Sequence, residues 1–350
     1  MSMKHRIISS VNNLLTPADI CLVRKSLFER IQKETEIYYR PSFREDKLPL
    51  GALECLSPDN SRLLELKDRY RRNTPQALRS SRWNQEHVDT IRLPWFRGDN
   101  PYVWQLREKN TEGKHISTAL YLKSIDRHGW LARLKEDGLF GAYVFEFDGG
   151  YISRDLLDSI AELYFLDELL GISKWTNAKI LDIGAGYGRL AYRTVNAIPT
   201  LSHFYCVDAI AESTFLSEYY LGFRKAEGTT VVPLDEIRQA LAASSVTLAT
   251  NIHSFSECTL AAIQWWLDLL REHAVRYLMI APDAYSNGGH QMLTRETAAY
   301  DAKQMRDFMP EILARGYKLV EKRPKYLDPN VQRYGVSPTY HYLFELKSNA

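Results

Sequence analysis

The chain has 350 residues, with 45 Lys and Arg against 43 Asp and Glu for a formal charge of +2, 45% hydrophobic and 25% charged residues. That is the make-up of a soluble globular protein of about two domains, or one large domain with a subdomain, and it excludes a disordered or collagen-like chain. The near-neutral balance argues against binding a nucleic-acid polymer, and no apolar run approaches the roughly 20 residues of a membrane span.

The charge is unevenly placed. Residues 1–150 hold 25 Lys/Arg and 20 Asp/Glu, and residues 151–350 hold 20 and 23. Much of the basic excess is the run Arg62, Lys67, Arg69, Arg71, Arg72, Arg79 and Arg82, which either faces an anionic ligand or forms a solvated helix face beside acids. Met1 to Leu15 is mixed polar, without an apolar h-region or small-residue cleavage site, so a cytoplasmic protein is expected. Cys21, Cys55, Cys206 and Cys258 are far apart and form no CxxC pair, which points to inert thiols and away from a disulfide framework or a zinc site.

Residues 1–150 read as a mainly helical N-terminal region, with helical stretches at Ala18–Tyr39 and Asn60–Arg72 between segments containing Pro41, Pro49, Pro58 and Pro75. Aromatics crowd the span from Trp83 to Phe147, among them Trp95, Phe96, Tyr102, Trp104, Tyr121, Trp130, Phe140, Tyr143 and Phe145. They either fill a core or line a pocket.

The pattern changes at Ser153. Leu156, Ile160, Leu163 and Leu170 recur on one helical stripe, with Ser153 placed to cap the helix start and Gly171 to stop it. Strands are predicted at Lys179–Ile183, His203–Val207, Thr230–Pro233, Val246–Asn251 and Val275–Ala281. Helices are predicted at Arg189–Ile198, Ala211–Phe223, Leu234–Ala243, Thr259–Glu272 and Arg295–Arg315. The alternation calls for an α/β fold over residues 151–350, with a parallel sheet covered by helices on both faces. Two last strand-like runs, Lys318–Glu321 and Tyr340–Leu346, have no helical pattern between them, so the final strand should enter antiparallel.

The sharpest motif is Asp182-Ile183-Gly184-Ala185-Gly186-Tyr187-Gly188-Arg189, a buried strand running into a glycine-rich turn and a helix. Glycines there let the backbone approach a ligand, and the helix start offers unpaired N–H groups. The spacing is GxGxG with an acid two residues before the first glycine, unlike the GxGxxG of dinucleotide sites. It is the form associated with S-adenosylmethionine (SAM) in class I methyltransferases. Asp208, at the end of the second strand, is placed to accept ribose hydroxyls or to cap the next helix. Asp235, after the third, either borders an adenine or caps a helix.

The fourth strand ends in Thr250-Asn251-Ile252-His253-Ser254-Phe255-Ser256-Glu257, at the sheet edge where ligands of open α/β sheets bind. Asn251 falls on the cofactor side. His253 either takes a proton from a substrate hydroxyl or is a structural hydrogen-bonding residue, and Glu257 can orient it or bind substrate. After the fifth strand, Asp283 to His290 forms a polar loop with His290 as a rival base. Asp283 and Asp208 form no local carboxylate cluster, so no metal is expected.

With these motifs the chain resembles the sugar O-methyltransferase family of class I SAM enzymes from bacterial natural-product and surface-glycan pathways. The likeness runs from about Tyr143 to Tyr342. It includes Ile152 to Ile160 with Glu162-Leu163, Asp182 to Arg189, Asp208 with Glu218-Tyr219-Tyr220-Leu221, and His253 to Glu257. The resemblance implies a Rossmann-like, seven-stranded, mostly parallel sheet with an antiparallel last strand, SAM as donor and a sugar-like hydroxyl as acceptor. It carries cofactor roles onto Asp182, Gly184, Gly186, Gly188 and Asp208, with Ala185 inside the same turn, and places His253 to Glu257 near the reacting centre. Residues 1–140 lie outside it and are expected to select the small-molecule acceptor, free or on an anionic carrier. A phenol or amine acceptor, or a module that binds SAM without catalysis, stays open.

Overall fold

The computed structural model describes residues 47–78, 82–98, 111–284, 287–296 and 305–347. The expected helix Ala18–Tyr39 and residues Cys21, Arg79, Tyr102 and Trp104 lie outside these.

Seven strands form one sheet: β1 (Lys179–Ile183), β2 (His203–Val207), β3 (Thr229–Val231), β4 (Leu248–Ile252), β5 (Tyr277–Ala281), β6 (Tyr317–Pro324) and β7 (Tyr340–Leu346). Their order across the sheet is β6-β7-β5-β4-β1-β2-β3. β1 to β5 pair in parallel, whereas β7 lies antiparallel between β5 and β6. The order of strand addition reverses between β1 and β4, and the crevice outside their carboxyl ends is where such sheets bind ligands. Each central strand is an apolar run because helices cover both faces: Leu181, Leu248, Ala249, Leu278 and Phe204 are wholly buried.

The helices that matter for the site are α1 (Ser61–Asn73), α2 (Glu112–Ile125), α3 (Arg154–Leu170), α4 (Arg189–Ala197), α5 (Ala211–Phe223), α6 (Ile237–Ala242), α7 (Leu260–Glu272), α8 (Met309–Ala314) and α9 (Pro329–Tyr334). α3 begins as its sequence foretold, with the Ser153 hydroxyl accepting from Leu156 N at 3.2 Å, and it ends on Gly171 at φ 64°.

Amphipathicity alone misdescribes α3. Every residue from Asp155 to Asp167 is buried, acids included. Each acid therefore has a cation beside it: Arg97 Nε donates to Asp155 at 2.9 Å, Arg189 forks onto Glu162 at 2.8 and 2.9 Å, Arg127 reaches Asp167 at 2.7 Å, and Lys325 reaches Asp158. Wholly buried Arg97 also donates to Glu136 at 2.7 Å, and Arg193 to the same carboxylate at 2.9 Å. Burial disfavours the ionised form of Glu136, but Arg97 and Arg193 more than offset it and hold this carboxyl well below its ordinary range.

Two sequence expectations are corrected. No single helix spans Arg295–Arg315: in the described part Leu293–Arg295 pairs antiparallel with Met305–Asp307, and α8 starts only at Met309. Pro310 inside the expected helix has no N–H and would break it, but it is tolerated in the first turn of α8. The stretch between the last strands is not devoid of helix either, since Asp328 caps α9, its carboxylate accepting from Asn330 N at 2.8 Å.

The aromatics between 83 and 147 mostly fill the core, with Phe96, Trp130 and Phe140 at most 1% exposed. The basic run is largely paired with acids of the chain's own second half: Arg62 with Glu218 at 2.6 Å, Lys67 with Glu212 at 2.8 Å, and Arg69 with Asp235 at 2.8 Å and Glu236 at 2.6 Å. Arg71 and Arg72 both reach Asp68. The front's positive excess and the back's negative one thus meet where α1 packs on α5.

Candidate functional site

A cavity of about 720 Å³ opens at the carboxyl edge of the sheet, within the range of roughly 300–1,000 Å³ usual for small-molecule sites. Asp182, Gly184, Ala185, Gly186, Asp208, His253, Ser254, Glu257 and Asp283 line it, each from the end of a strand or the loop after it.

The glycine turn is fixed by backbone geometry. Gly184, Gly186 and Gly188 all have positive φ, at 71°, 57° and 84°, a region costly for residues with a Cβ. A Cβ on Gly184 would also lie 2.1 Å from Ser254 Oγ, so the turn after β1 and the loop after β4 interlock at this point. Gly184 N and Ala185 N both donate to Val207 O, at 2.9 and 3.1 Å, tying the turn to the end of β2.

Both acids behind the turn are buried. Asp208 Oδ2 accepts from Gly186 N at 3.0 Å and Oδ1 from Ile210 N at 2.9 Å. With these two backbone bonds and the Ser213 hydroxyl, the two oxygens still keep acceptor capacity for a vicinal diol. Asp182 Oδ1 accepts from the Thr250 hydroxyl at 2.7 Å. Burial pushes both carboxyls up to about 7, against these hydrogen bonds. Tyr70 on α1 packs beneath, donating to Asp208 O at 3.2 Å and accepting from Leu234 N at 3.0 Å.

His253 stands in a strained backbone conformation, φ 67° and ψ −31°, pinned by its own N–H to Ala281 O at 2.7 Å. Strain of this kind persists where the surrounding structure imposes it, and it gathers at functional sites. The side chain is a quarter exposed, and Asp283 Oδ1 stands 3.2 Å from its buried Nδ1, within ion-pair reach though out of line for a full hydrogen bond. Burial, then the charge of Arg154, pushes the imidazole down to about 3, so the ring is neutral near pH 7. A carboxylate beside Nδ1 favours the tautomer with the proton on that nitrogen, in which Nε2 is the acceptor.

The remaining expected site residues fall differently. Glu257 lines the cavity but does not orient His253: its carboxylate accepts from Trp83 Nε1 at 2.7 Å and lies 3.7 Å from Arg82 Nε. Asn251 is fully buried beneath the turn, donating to Ile183 O at 2.8 Å and accepting from Phe255 N at 2.9 Å. Gly188 opens α4 against Ser217 and Leu221. Asp235 is held by Arg69 and Asn73, and exposed His290 sits 3.2 Å from Lys322 and edge-on to Tyr340; neither residue is part of the cavity lining. Among the described residues no group of three or more His, Cys, Asp or Glu could hold a metal ion, and no helix is long and apolar enough to cross a membrane.

Further contributors complete the site. Asp283, on the polar loop after β5, partners His253, a role its position on the same edge could have suggested. Lys114 and His115 on α2, and the segment Gly335 to Thr339 before β7, supply another wall. That segment is held by distant groups, with Val336 N donating to Thr118 Oγ1 at 2.9 Å and the Thr339 hydroxyl to Pro282 O at 2.6 Å.

The strand order, with β7 inserted antiparallel between β5 and β6, together with a glycine turn after β1, defines the Rossmann-like class I methyltransferase fold. No protein-family model and no curated protein sequence matches the chain. Among solved structures, a SAM-dependent methyltransferase from Clostridium acetobutylicum is 12% identical over 65% of this chain and 100% of its own, with a TM-score of 0.39. One from Aquifex aeolicus is 13% identical over 65% and 98%, with a TM-score of 0.37. Magnesium protoporphyrin IX methyltransferase from Synechocystis, solved with S-adenosylhomocysteine (SAH), is 11% identical over 66% and 99%, with a TM-score of 0.39.

Proposed function

We propose that the protein is a SAM-dependent O-methyltransferase acting on a hydroxyl of a sugar or glycosylated small molecule. The observation that carries the reading is that His253, paired with Asp283, shares one cavity with the glycine turn and the two buried acids Asp182 and Asp208. The residues suit this cofactor: three positive-φ glycines permit close approach, Asp208 offers both oxygens to a ribose diol, and Asp182 places a carboxyl beside the turn. The sugar acceptor rests on the sequence resemblance, and its selection is assigned to the region before residue 150, which supplies Lys114 and His115 to the cavity.

SAM, when bound, supplies a methyl group on a positively charged sulfur. The chain's part is to hold the acceptor hydroxyl in line with that carbon and to receive its proton. His253 Nε2 takes the proton as the C–O bond forms, and Asp283 beside Nδ1 holds the ring and stabilises the imidazolium. Glu257, occupied by Trp83, shapes the wall.

The test is methyl transfer from SAM to a panel of sugars, glycosides and phenols, alongside SAH titration. His253→Ala should lower turnover by about 10²–10⁴-fold with SAH affinity unchanged, and Asp283→Asn should lower it less. Turnover unaltered in His253→Ala would remove it as the base, and SAH binding without transfer to any acceptor would favour a non-catalytic module.

A further inference from the structure

One corner of the cavity shows what kind of acceptor would complete it. Lys114, in the first turn of α2, lines the cavity half-buried and has no carboxylate at ion-pair distance among the described residues. The neighbouring cations differ: Arg154 lies 3.1 Å from Asp158, Arg189 lies 2.8 Å from Glu162, and Arg82 lies 3.7 Å from Glu257. Asp158 is also a partner of buried Lys325, and Lys114 places a further positive charge on this wall.

His253 sits in the field of that corner. Arg154, Lys325 and Arg189 act against its protonation, whereas Asp158 and, beside the ring, Asp283 favour it. Buried His341 lies on the same side and is held neutral by burial and by Lys325. A proton on His253 would therefore be opposed by the positive charges of Arg154, Lys325 and Arg189. Beside Lys114, His115 is 1% exposed. Its Nδ1 lies 2.9 Å from Thr111 O, which fixes the proton there and leaves Nε2 as a buried acceptor with no protein partner.

We infer that the acceptor is an anionic sugar, carrying a carboxylate or phosphate near the hydroxyl that is methylated, with Lys114 as the ammonium anchor of its oxyanion. This rests on the methyltransferase reading above. The oxyanion offsets the local positive charge and strengthens His253 as a base for the step it performs. The acceptor O–H proton passes to His253 Nε2, the oxygen bonds to the methyl carbon, and the electrons of the broken C–S bond stay on sulfur, giving SAH. The arginine run of α1, already paired with acids, is not the anion site.

Calorimetric titration of the SAH-saturated protein with glucose, glucuronate, glucose 1-phosphate and glucose 6-phosphate tests this. At least one anionic sugar should bind about tenfold or more tightly than glucose, and the sugar that does so distinguishes carboxylate from phosphate. Lys114→Met should abolish that advantage and Lys114→Arg should keep it, with SAH affinity the same in all three proteins. Glucose binding as well as the anions, no anionic sugar binding, or an advantage that survives Lys114→Met would each overturn the inference. Failure of SAH itself to bind would instead overturn the functional reading beneath it.

Discussion

Replacing Gly184 by Ala tests whether the interlock of the two loops organises the site. At φ 71° a Cβ costs about 1–2 kcal/mol in backbone strain. The new atom would also lie 2.1 Å from Ser254 Oγ and 2.4 Å from Ser254 Cβ, an overpacking that typically costs about 1–3 kcal/mol. The next atom, Asn251 Nδ2, is 3.8 Å away, so the clash is with Ser254 alone. Gly184→Ala should thus destabilise the fold by about 2–5 kcal/mol and weaken SAH binding by about tenfold or more. Adding Ser254→Gly removes the obstructing atoms but not the strain, so the double variant should recover about 1–3 kcal/mol relative to the sum of the singles. Urea unfolding of wild type, both singles and the double gives this coupling, with calorimetry for SAH. A coupling near zero, or Gly184→Ala within about 0.5 kcal/mol of wild type, would refute the argument that Ser254 is what requires glycine there.

Asp208 is pushed up to about 7, so its ionised fraction rises from about a tenth at pH 6 to about nine-tenths at pH 8, and SAH affinity should rise by about tenfold over that interval. Asp208→Asn should flatten this slope; an unchanged pH profile would mean that the carboxylate does not meet the ribose. The stability effect has the opposite sign: Asp182 and Asp208 titrate higher folded than unfolded, so the stability linked to their protonation is fully present below about pH 4 and is lost as pH rises through about 7. In the buried ion lattice, Arg97→Met should cost about 3–5 kcal/mol, because Asp155 and Glu136 lose a fully buried partner. A loss under about 1 kcal/mol in chemical denaturation would show that the lattice rearranges around the gap.

Much of the fold was legible because it is written locally. The GxGxG turn, the Ser153 cap, the Gly171 stop and the apolar runs of β1 to β5 each depend on residues a few positions apart, and the structure places them as read, with the ends of β3, β4 and β5 shifted by one or two residues. The segment Arg295–Arg315 has an apolar spacing that suits a helix, but Pro310 confines the helix to its own first turn onward. The burial of the acids of α3 was not legible because their cations, Arg97, Arg189 and Lys325, come from elsewhere in the chain. At the site, the order of strand ends was enough to gather Asp182, Asp208, His253 and Glu257 at one edge. It could not show that Glu257 turns to Trp83, 174 residues away, or that Asp283 stands beside the imidazole.

The charge asymmetry divides the same way. The sequence by itself determined that the first 150 residues are basic and the rest acidic, that a parallel sheet follows residue 153, and that a glycine turn follows its first strand, since these follow from composition, period and backbone allowance. Only the tertiary structure decided where each charge goes: Arg62, Lys67 and Arg69 meet acids of α5 and of the segment after β3, whereas Lys114 lines the cavity without such a partner among the described residues. Electrostatic partnership depends on distance in space, and local sequence spacing does not encode which distant strands and helices will bring two charges together.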